Sequence, residues 1–368
     1  MIAVDRDPAA PGFRFADRRA ILSAEDEPAI ERLAAAERVD GVIAPGIDWP
    51  VGIAARVGAR LGIPHPVEPA SAVLSTSKLR QRERFAGAGV PQTRWRLITS
   101  PSAPFGFPCV VKAPDRQGQR GLSLVRDRSE LAAAVEAAVE SSRTRACMVE
   151  ELVQGPEVTV NAFSLDGVFH PLTVTDRLTA DPPAFGVALA HVWPAEHADG
   201  AAQVAEAAAA ALGIREGPTY TQVRVGPDGP RVIELAARIG GGHDAELCEA
   251  ALGVDLNGLA LAAALGEQID PAELEPRPQV GGAVVRFLVA PAGELQEVTG
   301  FDEARAVDGV LDVRVYRASG HRFVPLRRGS DRAGAVLAVG ADREEALERS
   351  ARAADLIRFE TADAGALV

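Results

Sequence analysis

The amino-acid sequence predicts an α/β protein of two or three domains, and three observations carry that expectation. Strand and helix signals alternate through the first third, as βαβ units around a parallel sheet require. Further on, apolar runs flank short turns such as Asp166-Gly167, the mark of antiparallel hairpins. A stretch with three prolines, residues 270–278, then separates the middle of the chain from a last group of strands. With 368 residues, 47% of them apolar, the chain can build several cores, and aromatics at 5% leave most of the packing to Ala, Val and Leu.

Taken in order, residues 1–5 read as a strand, and 27–37 carry helical spacing through Ile30, Leu33 and Ala34. A second apolar run covers 41–44, and a helix over 51–61 stops at Gly62-Ile63-Pro64. No Gly-rich turn follows the first strand, so nothing points to a dinucleotide site. A helix over 77–88 closes at Gly89, with Pro91 beyond. Strands are expected at 95–98, 109–112 and 122–125, a helix at 127–140 and a strand at 146–150. Residues 157–165 alternate, with Val158, Val160 and Ala162 on one face and Thr159, Asn161 and Phe163 on the other. After the turn, 168–175 continues the pattern. Residues 176–194 have poor periodicity and are expected to form a functional loop. A helix at 198–212 precedes strands at 220–225 and 231–235 around Pro227-Asp228-Gly229. Residues 270–278 read as a linker; strands near 283–289, 310–316 and 335–339 and a helix from about Asp342 end the pattern.

Charge and cysteine usage narrow the function. A net charge of −12 leaves no basic stripe for nucleic acid, so an anionic ligand must be held by a local cluster. Cys109, Cys147 and Cys248 are odd in number and lack metal-ligand spacing; they read as small buried hydrophobes in a reducing compartment. No signal-peptide or membrane-spanning pattern is present, which gives the expectation of a cytoplasmic protein with no membrane partner.

Lys78 and Lys112 are the only lysines among 39 basic residues, leaving 37 arginines (39 − 2). This Ala- and Arg-rich composition suggests a coding bias that replaces Lys wherever Arg is tolerated. Two positions that keep lysine therefore point to places where a compact ammonium must reach a crowded anion. Chance survival on the surface is the plain alternative. Lys112 ends an apolar strand and is followed by Gln117-Gly118-Gln119-Arg120-Gly121, a loop whose glycines let backbone N–H groups close on an anion, although ordinary hairpins look similar. Glu150-Glu151-Leu152-Val153 and Gly155-Pro156-Glu157 follow. Two adjacent acids cannot both face a core, so at least one is expected to be exposed. Glu234 lies among apolar strand neighbours, costly unless paired or metal-bound, with Arg238 four residues on; a simple Glu–Arg pair is the bland reading. Gly241, Gly242 and His243 precede a helix expected from about Ala245, where N–H groups attract a carboxylate, and His243 serves equally well as a cap or packing residue. Arg286, in an apolar strand, needs either a substrate carboxylate or an internal acid. His191 and Trp193, in the irregular segment, are candidates for lining a second substrate's pocket.

This ordered set of motifs resembles the ATP-grasp superfamily over roughly residues 70–265, with flanks similar to its pre-ATP-grasp and C-terminal parts. The resemblance implies an ATP-grasp fold with a reduced Rossmann-like pre-ATP-grasp domain (1–70), a central module (71–275, lid about 95–155) and a mixed α+β C-terminal subdomain (276–368). By the resemblance the chain begins at what would be that first domain's second strand, hence the expectation of a reduced domain or of a start placed too late. By the same resemblance, Lys78 and Lys112 hold the α- and β-phosphates of ATP, and Gln117 to Gly121, with Gly118 and Arg120, close over the β- and γ-phosphates. The Glu150–Val153 segment, Glu151 included, is the hinge that reads adenine, Glu150 accepting from the exocyclic amine and the Val153 N–H donating to a ring nitrogen, and Glu157 holds the ribose hydroxyls. Glu234 holds Mg²⁺ (or Mn²⁺), Arg238 stabilises the transferring phosphoryl group, and Arg286 matches a substrate-side arginine of biotin carboxylase-like relatives.

Two departures bear on the reaction. Many relatives carry Asn where this chain has Ala236, and the resulting Glu-x-Ala-Ala-Arg resembles the amino-acid (dipeptide) ligases. A second metal-binding glutamate of the family is matched by Gln222, an amide that ligates without adding charge. The leading expectation is a carboxylate–amine ligase that works through an acyl phosphate on small-molecule acid and amine substrates, most naturally amino acids. A carboxylase using bicarbonate and a non-catalytic ATP-binding regulator are the alternatives. A homodimer is the base-rate expectation.

Overall fold

The computed structural model describes residues 1–362. The chain opens with β1 (Ile2–Asp5) and β2 (Arg18–Ile21), which pair in parallel. Helices α1 (Glu27–Glu37), α2 (Asp48–Leu61), α3 (Pro69–Ser75) and α4 (Lys78–Ala88) follow. Local chemistry sets their ends. Asp26 and Ser77 accept backbone N–H groups as N-caps of α1 and α4, while Gly62 and Gly89 end α2 and α4 in the left-handed conformation. The apolar run at 41–44 forms no strand. Val42 packs on the α1–α2 core, and Gly41 passes so close to the Ala264 carbonyl that a Cβ would lie 2.4 Å from it. With Ala44 packed on the core that holds Phe85, the run bridges two cores instead of extending the small sheet.

Next come β3 (Trp95–Ile98), β4 (Cys109–Lys112), β5 (Leu122–Val125), α5 (Arg128–Ser141) and β6 (Cys147–Glu151), a four-stranded sheet in the order β3-β6-β4-β5. Cys109, Val111, Cys147 and Val149 face α5 in a core of their own. Strand alternation then turns Val110, Lys112, Met148 and Glu150 to the opposite face. That face is one wall of the cleft described below.

The central sheet contains β7 (Glu157–Leu165), β8 (Val168–Thr179), β9 (Ala188–Trp193), β10 (Gly217–Gly226) and β11 (Gly229–Ala236), with α6 (Ala201–Ala211) after β9 and α7 (Asp244–Leu252) and α8 (Leu256–Leu265) after β11. The end of the chain adds β12 (Gly282–Leu288), β13 (Gly293–Thr299), α9 (Phe301–Arg305), β14 (Val310–Val315), β15 (Arg322–Phe323), β16 (Gly334–Gly340), α10 (Arg343–Leu356) and β17 (Arg358–Ala362). Three of these last strands continue the central sheet, giving eight strands in the order β11-β10-β7-β8-β9-β12-β16-β14, all antiparallel. One face buries Val158, Val160, Val223 and Leu235 against α6 and against Phe85 of α4. The other packs Ala283, Val285 and Phe287 against α7 and α8.

Residues 176–194, expected as a loop, are largely sheet: β8 runs on to Thr179, and β9 starts at Ala188, leaving only the connection between them irregular. Within β9, Trp193 pairs with Ala283 and packs into the α7–α8 core, so it lines no cleft. The three cysteines are buried and unpaired. Among the described residues no single helix is long and apolar enough to cross a membrane.

Candidate active site

A cavity of about 440 Å³ opens between the four-stranded sheet and the central sheet. Both lysines end in it. Lys112 is buried, with Nζ 2.6 Å from Glu150 Oε2; Arg82, one helical turn after Lys78 on α4, donates from Nε to Glu150 Oε1 at 2.8 Å. The Glu150 carboxylate is thus spanned by two cations. Burial pulls the Lys112 ammonium down to about 8, opposed by the Glu150 charge. Glu150 in turn sits below the usual carboxylate range: its burial works the other way, and Arg82 and Lys112 outweigh it. Arg82 and Lys112 each engage one oxygen of this carboxylate. The β6 main chain and the residues up to Val153 still line the cavity.

Nor is either neighbouring acid exposed. Glu151, which also lines the cavity, is held by Arg94 Nε at 2.6 Å and Arg231 Nη1 at 2.7 Å, so it braces β6 to β11. Arginines solve the conflict that seemed to require exposure. Glu157 is bridged in the same way, by Arg177 Nη1 at 2.7 Å and Arg224 Nη2 at 3.1 Å.

Lys78 opens α4, and its Nζ donates to Glu234 Oε1 at 2.6 Å and to the Arg116 carbonyl at 2.7 Å. Gln222 faces Glu234 directly across the β10–β11 pairing, and both reach the cavity. Among the described residues no three acidic, His or Cys side chains cluster to hold a metal. One carboxylate, already met by Lys78, plus one amide suits a hard divalent ion only if phosphate oxygens supply most of its ligands. Gln117, Gly118 and Arg120 line the cavity, whereas Gly121 does not; at φ +65° its missing Cβ leaves room for Ser141.

Arg238 follows β11. Its Nε donates to the carboxylate of Asp48, Nη1 donates to the Ile239 carbonyl at 2.7 Å, and the guanidinium stands 5.8 Å from the centre of the Tyr220 ring. Beyond it lie Gly241, Gly242 and the buried His191, whose Nε2 fills the space where a Gly242 side chain would be (2.7 Å from an ideal Cβ). Burial lowers His191 to about 4, so the ring is neutral, and its Nδ1, 3.7 Å from Asp244 Oδ1, lacks a hydrogen bond.

Two expected substrate residues lie elsewhere. Helix α7 starts at Asp244, one residue earlier than expected, and the buried Asp244 carboxylate already accepts the Gly242 N–H at 3.0 Å. His243 turns outward, with Nε2 2.5 Å from Tyr316 Oη and Nδ1 3.0 Å from Arg314 Nη1, in its packing role. Arg286 is on the wrong face of β12. Its neighbours Val285 and Phe287 face the α7–α8 core, so alternation sends Arg286 to α10, where Nε donates to Ser350 Oγ at 3.1 Å.

Arg332 stands at the cleft instead, and no motif announced it. It lies in the loop before β16, its guanidinium 3.6 Å above Phe287, with Nε donating to the Gly329 carbonyl at 2.8 Å. Among the described residues no carboxylate pairs with it, and burial lowers its pKa. Arg82, Arg177 and Asp48 were also missed; only Arg82 carried a signal, its spacing of four from Lys78.

The chain matches the ATP-grasp domain over residues 105–246 and the L-amino acid ligase C-terminal domain 2 over residues 286–362. Its residues 105–246 are thus an ATP-grasp domain. Its fold is that of an L-amino acid ligase from Bacillus licheniformis (TM-score 0.82, 23% identity, 94% of this chain and 88% of that one). It is also similar in fold to N5-carboxyaminoimidazole ribonucleotide synthetase from Thermotoga maritima (TM-score 0.74, 20% identity, 98% and 92%). In sequence it is 30% identical over 306 residues to an uncharacterized protein, y4rH, of Sinorhizobium fredii, covering 79% of this chain and 62% of that protein. A formate-dependent phosphoribosylglycinamide formyltransferase of Burkholderia thailandensis is 28% identical over 377 residues, covering 97% and 89%. An ATP-grasp domain implies the use of ATP.

Proposed function

We infer that the protein is an ATP-dependent carboxylate–amine ligase acting on small amino-acid-like substrates. The observation that carries this reading is the pairing of two unlike ends in one cavity. One end has two lysines and an acid-bearing strand pair; the other has Arg238, neutral His191 and the unpaired Arg332. The L-amino acid ligase C-terminal domain supplies Arg332, which supports an amino-acid acceptor rather than bicarbonate.

In this reading the triphosphate lies along Lys78 and Lys112 under the Gln117–Arg120 loop, and Glu234 and Gln222 would hold a divalent ion. Such an ion draws charge from the phosphates. A carboxylate oxygen of the first substrate attacks the γ-phosphorus, the bond to the β-phosphate oxygen breaks, and ADP leaves. Arg238 is aimed at the charge that builds on the transferring group. The amine of the second substrate then attacks the acyl carbon, phosphate departs, and the nitrogen loses a proton. Arg332 suits a substrate carboxylate by its bidentate fork and, among the described residues, by having only carbonyls and no carboxylate as partners. His191, neutral, can accept a hydrogen bond from an ammonium or amine at the same end.

The test is ADP release with Mg·ATP and pooled amino acids, with and without bicarbonate. Turnover that requires both an acid and an amine supports the ligase. Turnover with bicarbonate and no amine supports a carboxylase, and bound nucleotide without turnover supports a regulator.

A further inference from the structure

Arg143 stands in the turn after α5, on the four-stranded lid, and reaches to the N-terminal part of the chain. Its guanidinium lies 4.2 Å from the centre of the Trp49 ring, and Nη2 donates to Glu25 at 2.8 Å. The turn itself is pinned to the far end of β4. Asp115, three residues after Lys112, accepts from the backbone N–H groups of Arg143 (3.1 Å) and Thr144 (2.9 Å) and from the hydroxyls of Thr144 (3.0 Å) and Ser142 (3.2 Å). On the other side of the contact, Trp49 follows Asp48 in the first turn of α2, and Asp48 accepts from Arg238. The lid's apolar core shares no residue with the remaining cores. Its place over the cleft therefore depends on contacts of this polar kind.

We propose that Arg143 and Trp49 are positioning residues that couple lid closure to Arg238. Lys112 and the Arg143 turn move as one piece because Asp115 joins them. When the lid settles on a nucleotide, Arg143 seats on Trp49, and the first turn of α2 carries that contact through Asp48 to the arginine that meets the transferring phosphoryl group. An acyl phosphate is hydrolysed by water, so setting Arg238 only under a closed lid keeps ATP from being spent without a product. Glu25, at the rim, steadies Arg143 from the solvent side.

The proposal rests on the ligase reading, and its test separates the two. In a Trp95→Phe, Trp193→Phe background Trp49 is the sole tryptophan emitter. Nucleotide should change its emission, and Arg143→Ala should abolish that change while leaving nucleotide affinity within about twofold. The same variant should lower kcat by about 3- to 30-fold, raise the ratio of ADP to amide formed, and keep its melting temperature, with Arg143→Lys recovering most of the loss. Arg143→Ala combined with Asp48→Asn should lose no more kcat than Asp48→Asn alone. Normal kcat and a normal ADP-to-amide ratio in Arg143→Ala, an unchanged emission response, or additive losses in the double variant would overturn the coupling. Wild-type protein that binds nucleotide but releases no ADP sinks the ligase reading alone, since emission still reads the latch.

Discussion

The two ends of the cleft are built on opposite electrostatic plans. At the nucleotide end every acid is answered: Glu150 by Arg82 and Lys112, Glu151 by Arg94 and Arg231, Glu157 by Arg177 and Arg224, Glu234 by Lys78. At the end proposed for the acceptor, among the described residues, Arg332 meets no carboxylate and His191 Nδ1 has no hydrogen bond. A paired end holds its shape before any ligand arrives. An unpaired end leaves charge unmet until a substrate brings its own.

That contrast can be broken most severely at Glu150. Glu150→Gln removes the only anion between two buried cations and should cost about 3–5 kcal/mol of stability, read by urea denaturation; a loss below about 1 kcal/mol would mean the pair is not integral. Arg238→Ala should next cost about 10²–10³ in turnover with little change in melting temperature. At the other end the sign on stability reverses. Arg332→Leu removes an unpaired guanidinium, so stability should hold or rise, while the KM for the carboxylate-bearing substrate rises by about 10- to 100-fold. A destabilised variant with an ordinary KM would contradict the acceptor role.

Lys112 sharpens the comparison through pH. Its folded pKa, lowered to about 8, means the free site loses this charge as pH rises through that value. Triphosphate favours the ammonium, so binding above pH 8 must take up a proton, and affinity should be about tenfold weaker at pH 9 than at pH 7. Calorimetry in buffers of different ionisation enthalpy counts that proton directly. The smallest effect belongs to Arg286→Gln, which lies on the α10 side of the sheet and should leave KM and kcat within about twofold.

Much of this was legible in the chain. Strands such as Trp95–Ile98 and Cys109–Lys112 form over the bounds expected from their short runs, and β7 covers the residues 157–165 whose side chains alternate. The two surviving lysines pointed to one cavity because an ammonium and a guanidinium are not interchangeable against crowded anions. What failed to show was structure whose one face is the cleft. In β8 and β9, Asp176 points to Arg343 while Arg177 and His191 point inward, so polar side chains on both faces erase the period of two. Arg286 fits a family position by residue type, yet the parity of β12 decides its face. Arg332 sits in a loop, where no period exists to betray it.

The antiparallel seam between β9 and β12 has a consequence for any attempt to exchange acceptor preference among relatives. His191 pairs with Val285 across that seam, so the strand that shapes one side of the acceptor pocket is hydrogen-bonded to the segment that supplies Arg332. A graft of the final segment alone would set a foreign strand in place of β12 against the native β9, leaving the side chains paired across the seam unmatched. If the proposed acceptor end is correct, acceptor preference in this scaffold is a heritable block spanning the seam, to be moved between proteins whole.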